Sequence, residues 1–200
     1  MELFTFPNIN PEKFIFDREG QYHVLKHFSE IDEEYRNEMI SRGAHSKREI
    51  SLRMEKFGSK FHKNFLSNPM ALIQLLKNEK EFVLLERFSS DNRIELQLVF
   101  DMARYPLGIG SDTLVRKNDH IGDSEMKIRM RFGFPIHYTK GEPRPTWELN
   151  LIFEWTDENW RLITMFPGKY APPFPDKKKQ APEEYQKSSD FWKKYLFLTD

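Results

Sequence analysis

A change of period along the chain most constrains what this sequence can fold into. Up to about residue 80, apolar residues recur mostly every three or four positions. Val24, Phe28, Ile31, Tyr35 and Met39 form one stripe, and Leu52, Phe57, Phe61 and Phe65 a second. That is the spacing of amphipathic helices. Beyond residue 80 the period becomes two. Met126, Ile128, Met130 and Phe132 alternate with Lys127, Arg129 and Arg131, and Trp147, Leu149, Leu151, Phe153 and Trp155 share one side of a second run. Alternation of that kind marks half-buried strands. An α+β fold is expected: N-terminal helices, then a mostly antiparallel twisted sheet of about six strands, then a C-terminal helix.

Turn and cap residues set the boundaries. Pro7 and Pro11 keep the start extended. Helical spacing runs from Gln21 to about Ser41, with Gly43 as a stop. Ser29 with Asp32 fits a capping box, so this stretch reads equally as one helix or as two. Ser67-Asn68-Pro69 predicts a helix start, with an apolar helix from Met70 to near Asn78. Segments 81–88 and 93–102 flank Ser89-Ser90-Asp91-Asn92 as a hairpin. Thr113–Val115 reads as a strand, and Trp160–Phe166 returns from a turn at Thr156–Asn159. Five of the twelve prolines fall within residues 167–182, which read as an extended linker before a last helix over 183–198. The division expected is one α+β domain over 1–170, mainly helical to residue 80 and mainly sheet after it. Residues 171–200 would be a Pro-rich linker with a C-terminal helix.

Composition narrows the chemistry. The 200 residues include no Cys, which removes disulfides, zinc thiolates and cysteine nucleophiles. Eighteen Phe, seven Tyr and four Trp supply a core despite 31% charged residues. The formal net charge is zero, so nucleic-acid binding would need segregated surface charge. The opening residues lack the pattern of a signal peptide, and no apolar run approaches the roughly 20 residues of a membrane span. A cytoplasmic protein with no membrane partner and no cofactor is expected. P-loop, Gly-x-Gly-x-x-Gly and Gly-x-Ser-x-Gly motifs are absent, and Asp119, Asp123 and Glu125 read as a turn.

Four groups of residues could carry function. His23 and His27 lie four apart in His-Val-Leu-Lys-His, which on a helix puts both imidazoles on one face. They are either a paired site or two polar residues flanking an apolar stripe. Lys127, Arg129 and Arg131 form a basic ladder followed by His137, Lys140 and Arg144. The ladder is either a phosphate-binding surface or a solvated face paired with Glu148 and Glu154 on a neighbouring strand. In the closing strand, Arg161, Ile163 and Met165 alternate with Leu162, Thr164 and Phe166. A hydroxyl among apolar neighbours there needs a partner if buried. Arg104, His120 and His137 are the candidates for a small-molecule site in the middle of the chain.

Two stretches carry a resemblance. HVLKHFSEIDEEYRNEM resembles the His-bearing helix that opens many bacterial toxin-type RNases of the barnase–EndoU–colicin–RelE fold. ITMFPG, followed by the Pro-rich YAPPFP, resembles the Thr-containing final strand of the same group. Residues 45–80 and 103–145 lie outside these stretches. The resemblance implies a metal-independent endoribonuclease in which the ribose 2′-hydroxyl attacks the adjacent phosphate. His23 or His27 would move the proton, Arg161 or a cation of the ladder would stabilise the phosphorane, and Thr164 would bond the phosphate or hold the histidine. Lys127, Arg129, Arg131 and Lys169 would bind substrate. The implied partners are RNA and a protein inhibitor or other protein partner. The competing expectation is a non-catalytic protein-binding or regulatory module of the same fold.

Overall fold

A computed structural model describes residues 4–5, 11–43, 45–78, 81–84, 92–119, 127–131 and 133–199. The fold is α+β. In chain order the elements begin with β1 (Phe4–Thr5), β2 (Phe14–Ile15), α1 (Arg18–Val24), α2 (Glu33–Ser41), α3 (Lys47–Met54), β3 (Lys60–Phe61) and α4 (Ala71–Asn78). There follow β4 (Glu81–Leu84), β5 (Arg93–Val99), β6 (Gly110–Asp112), β7 (Leu114–Arg116), β8 (Lys127–Arg131) and β9 (Phe134–Lys140). The chain ends with β10 (Arg144–Thr146), β11 (Glu148–Thr156), β12 (Asn159–Pro167), α5 (Pro182–Trp192) and β13 (Tyr195–Thr199). No helix among the described residues is long and apolar enough to cross a membrane.

The strands fall into three sheets rather than one meander, and the chain forms two compact units. The first holds residues 1–111 and 145–168, the second residues 112–144 and 169–200. One boundary, 168/169, falls within the Pro-rich segment, and the second unit also takes in residues 112–144. In the first unit, six strands run in the order β1-β4-β5-β11-β12-β2. β4, β5, β11 and β12 are antiparallel neighbours, and β2 adds to β12 in parallel through Phe14 and Ile15. The expected hairpin is present as β4 on β5, while its turn lies outside the described residues. Leu149, Leu151 and Phe153 of β11 are fully buried with Leu162 and Met165 of β12, against Val24, Leu25 and Phe28 from the helical segment.

Strict alternation fails in β12, and the failure matters for the site. Ile152 lies opposite Thr164, but Phe153 lies opposite Leu162, so Ile163 is an extra, unpaired residue. A bulge of this kind switches which residues share a face. Arg161, opposite Glu154, and Thr164, opposite Ile152, therefore lie on the same face, whereas the uninterrupted pattern separates them.

The helical segment also departs from its simple periodicity. α1 starts earlier than expected, because Asp17 accepts a hydrogen bond from the Gly20 N–H at 2.8 Å and caps the helix. It ends at Val24, and Leu25–His27 form a single 3-10 turn. The 21–41 stretch is thus two helices, with α2 beginning after Asp32 rather than at a Ser29 cap. α3 is set by a Ser46–Glu49 capping box, with reciprocal bonds of 3.3 and 2.7 Å. It does not continue through the spaced aromatics. Leu52 and Phe57 remain exposed at 53% and 43%, and Phe61 is buried in β3. Gly58, at φ 143°, takes the chain out of the helical region.

In the second unit β13 lies inside the sheet, in the order β7-β13-β9-β8, antiparallel to β7 and parallel to β9. The last helix accordingly stops at Trp192, not at residue 198. The Pro-rich stretch is packed rather than a free tether. The Trp192 indole N–H donates to the Pro172 carbonyl at 3.0 Å, and Phe174 stacks on the Trp192 ring with centroids 4.3 Å apart.

Helix α1 lies on β12 at Gly20, where an added Cβ would meet the Leu162 carbonyl oxygen at 2.7 Å. Gly20→Ala must push α1 off the strand. The expected loss is about 1–3 kcal/mol of stability, the usual range for overpacking, read from the urea midpoint at unchanged slope.

Candidate active site on the α1–β12 corner

The first turn of α1 is fixed to β12 by Arg161. Its guanidinium donates to Glu154 at 2.8 Å and to Asp17 at 3.4 Å, and these carboxylates raise its pKa, with Glu154 acting most. Asp17 thus caps α1 and binds the strand with the same side chain. Asp17, Glu19, Gly20, His23, Arg161, Leu162 and Ile163 line one open cleft of about 140 Å³. His23 and Arg161 are therefore brought together, but Arg161 is already neutralised by two carboxylates.

On its other side His23 meets a cationic group from α3 and the 3-10 turn. The Arg53 guanidinium donates to the His23 carbonyl at 3.0 Å and stands 3.1 Å from its Nδ1. Lys26 Nζ stands 3.1 Å from the Nε2. Both neighbours are donors, and a neutral imidazole has one lone pair to offer. Whichever tautomer forms, one donor faces an N–H. Burial, followed by the charges of Lys26, Arg53 and Lys56, pushes His23 down to about 4.

His27 lies in the 3-10 turn and is neutral for related reasons. Its Nδ1 stands 3.0 Å from the Ser59 carbonyl, which only accepts, so Nδ1 carries the hydrogen and Nε2 the lone pair. Burial, followed by Lys26, holds it well below the ordinary imidazole range. Its ring lies 5.7 Å from that of Phe166, two residues beyond Thr164 on the same strand face. Thr164 is half-buried, and its hydroxyl makes no hydrogen bond among the described residues.

Lys60 contributes a third cation with a structural task. Its Nζ donates to the carbonyls of Lys26 at 2.5 Å, Met54 at 2.6 Å and Lys56 at 2.8 Å, tying the end of α3 to the 3-10 turn. Burial pushes it down to about 8, while the three oxygens favour its charged form. Among the described residues, no three His, Asp or Glu side chains converge as a metal-binding group.

The other expected binding residues belong to the second unit. Lys127, Arg129 and Arg131 lie on β8, whose neighbour is β9. Their expected partners are engaged elsewhere, Glu148 by Gln97 at 3.1 Å and Glu154 by Arg161. Arg131 instead lies over the Phe174 ring at 4.9 Å. The Lys169 amide donates to Asp112, and its ammonium lies over Tyr195 at 5.7 Å. Of the mid-chain candidates, Arg104 lies over Tyr105 in the first unit, His137 is on β9 in the second, and His120 falls outside the described residues. The sequence reading missed Arg53 and Lys60. Nothing in their spacing marks them, whereas Lys26, inside the HVLKH motif, was open to notice.

No protein-family model, curated protein or solved structure matches the chain.

Two measurements check the electrostatics. The His23 ring is expected to titrate near pH 4 by NMR, and Lys26→Met to raise that midpoint by removing a nearby charge. An ordinary midpoint near 6.5 would remove the cationic environment argued above. Because the folded ring binds its proton less readily than the unfolded one, the unfolded state holds more protons between these values. Stability should be full above about pH 6.5 and fall as pH drops toward 4, shallowly so in Lys26→Met. Arg161→Met should cost about 1 kcal/mol or less, since its ion pairs are partly exposed.

Proposed function

We propose that this protein is a metal-independent endoribonuclease whose site is the His23–His27–Arg53–Lys26 corner. The observation carrying the proposal is the gathering of two cationic side chains, Lys26 and Arg53, each 3.1 Å from a ring nitrogen of His23. A phosphate oxygen at that point accepts from both the Lys26 ammonium and the imidazole N–H. Such an anion is the ligand for which the local charge calls.

The groups divide the work. His27, anchored through Nδ1 on the Ser59 carbonyl, presents a neutral Nε2 lone pair. It takes the proton of the ribose 2′-hydroxyl as that oxygen forms its bond to phosphorus. The bond from phosphorus to the 5′-oxygen breaks, and the His27 imidazolium returns the proton to that leaving oxygen. The products are a 2′,3′-cyclic phosphate and a 5′-hydroxyl. Arg53, Lys26 and the His23 N–H stabilise the charge that builds on the phosphorane, and the Thr164 hydroxyl donates a further hydrogen bond to the phosphate. Arg161, expected to face the phosphorane, instead positions α1 through Asp17.

A second reading has its own support. With Arg161 committed to Glu154 and Asp17, the cation lining the cleft beside His23 is engaged by carboxylates rather than turned to a phosphate, which suits a non-catalytic binding module. One assay separates the two. Wild type is incubated with a labelled single-stranded RNA in chelator. Cleavage to a cyclic-phosphate end is expected, falling about 10²–10⁴-fold in His27→Ala and about 10²–10³-fold in Arg53→Met. Thr164→Ala should lose less. The acid limb of kcat/KM should lie below the ordinary imidazole range and move up in Lys26→Met, because burial still disfavours the charged His27 but the charge that adds to it is gone. RNA bound but never cut supports the second reading. Cutting untouched by every substitution refutes the site.

A further inference from the structure

We propose that the face of Tyr22 is a nucleobase-stacking platform, held in this structure by the His45 ring; this rests on the reading of the adjoining corner as an RNA site. Tyr22 immediately precedes His23 in α1. Its ring and the His45 imidazole are stacked, with centroids 3.6 Å apart and planes 15° apart. The Arg53 guanidinium lies 5.4 Å from the same Tyr22 centroid. That guanidinium also stands 3.1 Å from His23 Nδ1 and donates to the His23 carbonyl. One cation therefore spans the aromatic face and the imidazole assigned to the phosphate.

An aromatic face beside phosphate-binding cations is how proteins hold single-stranded RNA: the base stacks and the backbone is neutralised. Tyr22 suits the role because it is half-buried and packs at the margin of the main core, so its ring is fixed before the base arrives. His45 suits the role of a placeholder. It sits on the short connection between α2 and α3, and its ring makes no hydrogen bond among the described residues. Displacing it breaks one ring contact and exchanges it for another. Every base has a flat face to offer, so the platform selects unpaired bases over a duplex and does not read their sequence.

The test uses a hexaribonucleotide carrying 2′-O-methyl groups, which cannot be cut, and one 2-aminopurine, whose fluorescence drops on stacking. Inorganic tripolyphosphate serves as a base-free probe. Wild type should bind the hexamer and quench it. Tyr22→Leu should weaken hexamer binding about tenfold or more and lose the quench while binding tripolyphosphate as wild type does, which also shows the variant is folded. Tyr22→Phe should keep both, and His45→Ala should bind the hexamer at least as tightly as wild type. Hexamer bound without quench, and equally by Tyr22→Leu, overturns the platform and leaves the RNA reading standing. A loss in His45→Ala equal to that in Tyr22→Leu overturns the assignment to Tyr22. No binding of the hexamer by wild type overturns both the platform and the RNA reading. If Tyr22→Leu fails to fold, the wild-type quench alone decides.

Discussion

The site depends on the close approach of α1 to β12 at Gly20. The Leu162 carbonyl comes so near that no side chain fits between helix and strand. Asp17 then fixes the helix end twice, by capping the Gly20 amide and by bonding Arg161 across the corner. With its start pinned and Val24 and Leu25 driven wholly into the core, α1 has length for only two turns. The chain must tighten into a 3-10 turn before Phe28 reaches its place beside Phe61. The positions of both histidines follow from that burial.

The cations at this corner divide by what they meet. Lys60 gives its hydrogens to three carbonyls and braces the end of α3. Arg161 is matched by two carboxylates. Lys26 and Arg53 each stand 3.1 Å from a ring nitrogen of His23, and Arg53 also donates to the His23 carbonyl. Like charges gathered around a neutral imidazole differ from the opposite-charge pairing of an ordinary structural ion network, and that difference is what the proposed anion site rests on.

Much of the fold was legible because burial imposes a period. The β11 run, the β4–β5 hairpin and the Asn68-Pro69 helix start mark real elements, and β8 is a strand as well although its Ile128 and Met130 stay exposed. The stripe over Leu52, Phe57, Phe61 and Phe65 misled because the sequence there also fits a helix, while Gly58 and the pairing of Lys60 and Phe61 with β6 hold the chain in other conformations. The C-terminal strand was hidden for a similar reason. Tyr195 to Thr199 is apolar enough to end a helix or to fill a sheet, and its place between β7 and β9 comes from partners far along the chain.

By itself the sequence determined the α+β class, the absence of thiol chemistry, and imidazole, guanidinium and hydroxyl as the groups left for a site. His23, His27 and Thr164 could be singled out because each is polar within an apolar pattern. Tertiary structure alone decided what they meet. An extra residue at Ile163 turned Thr164 onto the face of Arg161, two carboxylates took Arg161 into a structural role, and Arg53 arrived from a different helix beside His23. Local patterns report which face a residue prefers; they carry no record of a bulge or of a charge brought in from 30 residues away.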